Sequence, residues 1–116
     1  MVAQGMVPAA RMYSFEYNPA MIQVKTLPAF TDWLDGIKDR SAQRRLARRL
    51  EKASKGNMGD VKSVGEGVWE MREFFGPGWR MYYVQRGDVL IVMLGGGDKS
   101  TQQADIAEAI ALSKSI

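Results

Sequence analysis

An α+β domain is expected from three features of the chain. A short strand-like run, Met21–Leu27, precedes two stretches with helical spacing. Three further strand-like runs follow at hairpin distance, over Val68–Phe74, Trp79–Gln85 and Val89–Leu94. A last helical stretch, Gln102–Ser113, comes after them. The 116 residues suit one modest core, and an apolar fraction of 46% is enough to fold it.

Residues 1–20 mix Gly5, Pro8, Asn18 and Pro19 with scattered Met, Tyr and Phe, and show no clear period. They are expected to be an N-terminal extension to a single domain over 21–116. The competing expectation makes Met12–Tyr17 an extra edge strand. Pro28 opens a helix in which Phe30, Trp33, Leu34 and Ile37 share a face. Asp39-Arg40-Ser41 interrupts it, and Ser41 is expected to cap a second helix from Ala42 to Lys55. Its inward stripe is Ala42, Leu46, Leu50 and Ala53, and Gly56-Asn57 ends it. The two helices are expected to form a hairpin lying on the sheet. Asp60–Val64 reads as a short strand before the Gly65-Glu66-Gly67 turn. Val89–Leu94 is apolar throughout, so it is expected to be central and covered on both faces. Gly95–Thr101 reads as a glycine-rich turn, with Ser100 or Thr101 capping the last helix.

Composition removes several chemistries. There is no cysteine, so disulfides and thiolate metal sites are excluded, and no metal site is expected. There is no histidine, the usual general base. Any catalysis uses carboxylates, Lys, Arg, Tyr or Ser/Thr, and no cofactor is expected. No apolar run approaches the roughly 18–20 residues of a membrane span, and no h-region marks a secretion signal. A reducing cytoplasm is the expected location. Net charge is only +3, but its distribution is uneven. Arg40, Arg44, Arg45, Arg48, Arg49, Lys52 and Lys55 crowd residues 40–55 against the single acid Glu51. Such a face suits a nucleic-acid or acidic-protein partner, although exposed helix faces are also often Arg-rich for solubility.

The hairpin over 68–85 carries the sharpest pattern. Pairing it symmetrically about Gly76 sets Arg72 opposite Arg80 and Glu70 opposite Tyr82, all on one face. Two opposed arginines need an anion between them, either Glu70 or a phosphate. The bland reading is a solvated strand face with Glu–Arg pairs. Trp69, Met71, Trp79, Met81 and Tyr83 lie on the opposite face and are expected to be core. Gly95–Gly97 then delivers Lys99 beside the hairpin cations. This is not a Walker A loop, because Asp98 stands where glycine is needed.

Three segments carry a family resemblance: Asp60–Arg72, Gly76–Tyr83 and Leu94–Gln102. Together with the helical hairpin at Phe30–Lys55, they strongly resemble the addiction-module killer proteins, a HigB-like branch of the RelE/ParE toxin superfamily. The resemblance covers residues 21–116. It implies a RelE-like α+β fold: an N-terminal strand, a helical hairpin, an antiparallel sheet of three to four further strands and a C-terminal helix. It implies a toxin held by a cognate helix-turn-helix antitoxin, through which the complex would bind operator DNA. It further implies a ribosome-dependent mRNA endonuclease working without metal, in which the RNA 2′-hydroxyl attacks the adjacent phosphate. Arg80 matches a basic position of that chemistry, and Arg72, with one extra residue in the loop, and Lys99 fall near two others. Glu70, Tyr82 and Asp98 are the candidate proton-transfer groups, along with a lysine. Arg44, Arg45, Arg48, Arg49, Lys52, Lys55 and Lys62 are the candidate contacts to ribosome, RNA or antitoxin. The relatives' C-terminal tyrosine corresponds to Ile106, and HigB-type histidines are missing. The ParE branch implies a different activity on the same fold, inhibition of DNA gyrase, and a catalytically silent toxin-fold binding protein is the remaining alternative.

Overall fold

The computed structural model describes residues 21–116. The extension and the Met12–Tyr17 strand expected from the sequence lie outside the described residues. In chain order the elements are β1 (Gln23–Thr26), α1 (Pro28–Asp35), α2 (Arg40–Ser54), β2 (Val61–Gly65), β3 (Val68–Arg72), β4 (Arg80–Arg86), β5 (Leu90–Gly97) and α3 (Gln102–Ser113). One five-stranded sheet runs in the order β1-β5-β4-β3-β2. β1 lies parallel to β5, and every other pair is antiparallel.

The alternation of each strand sorts its side chains to two covers. Phe30, Ile37, Ala42, Leu46 and Ala53 of the helical hairpin pack on Met71, Met81, Tyr83, Ile91 and Met93. The opposite face holds Val68, Tyr82, Val84 and Leu94 under Ala109 of α3. The apolar β5 is thus covered on both sides, as its continuous hydrophobicity predicts. Trp69 departs from the expected core and is exposed.

Helix ends differ from expectation in an instructive way. Asp39, not Ser41, caps α2, its Oδ1 accepting from the Ser41 and Ala42 backbone N–H groups. A carboxylate outcompetes a hydroxyl there because it adds charge to the helix dipole. Asp98 likewise caps the single 3₁₀ turn Lys99–Thr101 that leads into α3. Thr101 is the N-cap of α3 but makes no capping bond, because its hydroxyl donates to Asp105.

The expected glycine turn is instead the end of β5. Gly95, Gly96 and Gly97 pair with Tyr82, Met81 and Arg80, after a register shift opposite Tyr82/Tyr83. Close packing explains Gly96 and Gly97, whereas a Cβ on Gly95 would meet nothing within 4 Å. A Cβ on Gly96 would lie 2.4 Å from the Trp33 ring, and one on Gly97 would collide with the Asp105 carboxylate. The Trp33 ring is itself held by Phe30 and Trp79, at centroid distances of 5.7 and 6.2 Å. Gly96→Ala is therefore expected to cost about 2 kcal/mol by overpacking, measured as a lowered urea midpoint with an unchanged slope.

Candidate functional site

The β3–β4 register places Arg72 opposite Arg80 and Glu70 opposite Tyr82. The Glu73 N–H continues the ladder to the Trp79 carbonyl, and the Gly78 N–H closes the loop onto the Phe75 carbonyl. Gly76 and Gly78 take φ of 58° and 81°, which glycine adopts without strain. The face shared by these four residues is not solvated. α3 covers it, leaving Glu70 1% and Arg80 5% exposed.

Glu70 is the hub of this buried layer. Its Oε2 accepts from the Tyr82 hydroxyl at 3.0 Å and from Gln102 Nε2 at 2.8 Å. Its Oε1 lies 3.8 Å from Arg80 Nε, an ion pair without a hydrogen bond. Arg80 is anchored further by Nη1, which donates to the Glu73 and Trp79 carbonyls at 3.0 Å each. The guanidinium is thereby locked in one orientation before any ligand arrives.

Arg72 sits at the open end, paired with the Asp60 carboxylate at 3.1 Å. Both partners are about one-third exposed, so a phosphate can exchange for Asp60 at little cost. The Nε atoms of Arg72 and Arg80 are both buried, and neither has a hydrogen-bond partner among the described residues. Lys99 reaches the same end across Gly78. A Cβ on Gly78 would lie 2.8 Å from the Lys99 Cγ and Cδ and 3.6 Å from Arg80 Nη1. The structure thus brings Arg72, Arg80 and Lys99 to one end of the hairpin.

The proton-transfer candidates fare differently. Burial first, and then the hydrogen bond to Glu70, push the Tyr82 phenol far above its ordinary value of 10.0. Glu70 is sealed beneath α3 and fully engaged, so both residues orient Arg80 rather than meet a solvent-borne substrate. Asp98 Oδ1 accepts from the Ser100 hydroxyl at 2.5 Å and from its N–H at 2.8 Å, which holds the carboxyl below its usual range. An acid so lowered is a weak proton acceptor. Tyr83 is also raised, through burial. Folded Tyr82 and Tyr83 keep protons that the unfolded chain releases above pH 10, so stability is full below that pH and falls as pH rises beyond it. Tyr82→Phe is expected to flatten this alkaline loss by up to about 1.4 kcal/mol per pH unit, read from urea midpoints at about pH 9 and about pH 11.

The basic residues of α2 do not act as one set. Arg45, Arg48, Arg49 and Lys52 line a recess of about 260 Å³ with Glu73. The Arg45 guanidinium stacks 3.6 Å above the Phe75 ring. Arg49 departs from the exposed role expected of it. Its guanidinium donates to the carbonyls of Met58, Asp60 and Arg72, and it pairs with the Glu73 carboxylate. It is a buried clamp between α2 and the hairpin. Arg44 and Lys55 are exposed outside the recess, and Lys62 is exposed on the edge strand β2. Among the described residues no helix is long and apolar enough to cross a membrane.

Residues 32–114 match the family described as phage derived protein Gp49-like (DUF891). The chain belongs to this Gp49-like family. A Haemophilus influenzae protein described as uncharacterized is 40% identical over 95 residues, which is 82% of this chain and 96% of that protein. Among solved structures, the E. coli toxin RelE, a double mutant in the free state, is similar with a TM-score of 0.62 and 12% identity. That likeness covers 79% of this chain and 96% of RelE, and it shows a shared fold.

Three residues of the candidate site escaped sequence reasoning. Phe74 projects from the hairpin loop and is 73% exposed. Its placement between two arginine-bearing strands was the available signal, hidden by the assumption that Phe74 continued the strand. Gln102 reaches Glu70 across 32 residues of sequence, and Asp60 reaches Arg72 across 12. Neither contact leaves a trace in local spacing.

Proposed function

We propose that this chain is the toxin of a type II toxin–antitoxin system and acts as a ribosome-dependent mRNA endonuclease. The observation that carries the reading is the end of the hairpin. There, Arg72 and Arg80 stand opposed, the Lys99 stem packs over Gly78 beside Arg80, and Arg72 is about one-third exposed. The Gp49-like family and the RelE-like fold support it.

The chemistry follows from the charges. The 2′-hydroxyl oxygen gives up its proton to solvent water and bonds to the adjacent phosphorus, while the bond to the 5′ oxygen breaks and that oxygen takes up a proton. The products are a 2′,3′-cyclic phosphate and a 5′-hydroxyl end. Negative charge builds on the equatorial oxygens in between, and fixed guanidinium groups lower that barrier because they need no reorganisation. Arg80 is preorganised by Glu70, Glu73 and Trp79, and Arg72 exchanges Asp60 for the phosphate. With Glu70 and Tyr82 sealed away, the Lys99 ammonium is the group assigned to protonate the leaving 5′ oxygen. The α2 recess, rich in Arg45, Arg48 and Lys52, is assigned to ribosomal RNA phosphates. The addiction-module killer branch and a helix-turn-helix antitoxin, binding operator DNA in the complex, complete this reading.

Expression without antitoxin, followed by mapping of mRNA 5′ ends, tests it. Codon-phased cuts are expected. Intact mRNA with a DNA-damage response would instead select a ParE-like gyrase inhibitor.

A further inference from the structure

We propose that Phe74 is a stacking platform for the nucleobase adjoining the cleaved phosphate. This rests on the reading of the hairpin end as an RNA site. Phe74 leaves most of its ring in water, 73% exposed, whereas Phe30 is fully buried and Phe75 is packed beneath Arg45. A single exposed apolar side chain is ordinary, and what sets Phe74 apart is its company. The guanidinium carbons of Arg72 and Arg80 lie 5.7 and 5.8 Å from the ring centroid. Both distances are within the roughly 6 Å reach of a cation–π contact, so the exposed ring lies beside both cations.

The Arg72 side chain is about one-third exposed beside the ring, so its guanidinium can meet a phosphate oxygen, a strong acceptor. A nucleotide links a phosphate to a flat π-face through a single sugar. A phosphate held by Arg72 and Arg80 therefore leaves its own base, or the next, beside the Phe74 ring. Cationic tracks interleaved with an aromatic ring are the general means of holding single-stranded RNA. A ring meant for an apolar protein surface would sit among apolar neighbours. Phe74 instead has two guanidinium groups close to its ring, so charge complementarity favours RNA over an antitoxin segment.

The test is single-turnover cleavage of mRNA on programmed ribosomes by the full chain. Phe74→Leu keeps an apolar side chain and loses the π-face. It is expected to slow cleavage roughly tenfold or more, within the range for one base–aromatic stack, while Phe74→Trp stays within about threefold of the native rate. An abasic nucleotide beside the cleaved bond should slow the native chain by the same factor and add nothing in Phe74→Leu. Native cleavage by Phe74→Leu, or an undiminished abasic effect in that variant, overturns the proposal and leaves the endonuclease reading standing. Native cleavage by Phe74→Leu with loss of antitoxin binding would give the ring to a protein partner instead. If the unmodified chain cuts no mRNA, the endonuclease reading fails, and the stacking site fails with it.

Discussion

Arg80→Lys is expected to lower mRNA cleavage by roughly 100-fold or more while the fold stays near native stability. Lysine keeps the positive charge beside Glu70, so the buried carboxylate retains a counter-charge. It loses the planar fork that reaches the Glu73 and Trp79 carbonyls and a phosphate at once. Arg80→Ala behaves differently from a simple loss of a surface cation. It strands Glu70 beneath α3 with only Tyr82 and Gln102 as donors. Breaking a buried pair in this way costs about 3 kcal/mol, the low end of the usual range because the 3.8 Å contact is loose. The alanine variant should thus lose cleavage and stability together, and the lysine variant cleavage alone. Single-turnover rates set beside urea melts separate the two. Native cleavage by Arg80→Lys would remove the guanidinium geometry from the mechanism.

The second large effect is expected at Arg49, away from the reacting position. Arg49→Ala should destabilise the chain by about 3 kcal/mol or more, because three backbone carbonyls and one carboxylate lose a shared charged donor. Arg49→Lys should recover little, since an ammonium cannot span acceptors on Met58, Asp60, Arg72 and Glu73. Space is already short there: a Cβ on Gly59 would lie 2.9 Å from the Arg49 guanidinium. Arg49 and Arg80 meet at Glu73, through its carboxylate and its carbonyl respectively. Loosening that residue should therefore also slow cleavage in whatever fraction stays folded. A native urea midpoint for Arg49→Ala would show that the clamp carries no load.

The hairpin register was open to sequence reasoning because its physics is local. Strict alternation on both arms and a loop centred on Gly76 allow one pairing that keeps Met71 and Met81 on the same face. The helical hairpin was open to it for the same reason, through the repeat of Ala42, Leu46 and Ala53. Gly95–Gly97 was not. Three glycines carry no alternation, and their strand conformation depends on Trp33 and Asp105 pressing from opposite faces. The site divides along the same line. Arg72, Arg80 and Lys99 stood out by residue type and spacing. The solvated face expected for Glu70 and Tyr82 was wrong because only the docking of α3 determines which side of the sheet is buried.

By itself, the sequence determined which strand side chains share a face, that two helices precede the sheet strands and one follows, and that histidine and cysteine chemistry is excluded. Each of these follows from backbone periodicity or from composition, which the chain carries residue by residue. The tertiary structure alone decided that Arg80 is a buried guanidinium, that Arg49 ties α2 to the hairpin, that Glu70 and Tyr82 are sealed beneath α3, and that Phe74 faces water beside two arginines. Several of the contacts involved join distant parts of the chain, Asp60 with Arg72 across 12 positions and Gln102 with Glu70 across 32. Burial and partnership belong to packed elements, and no residue type carries them in advance.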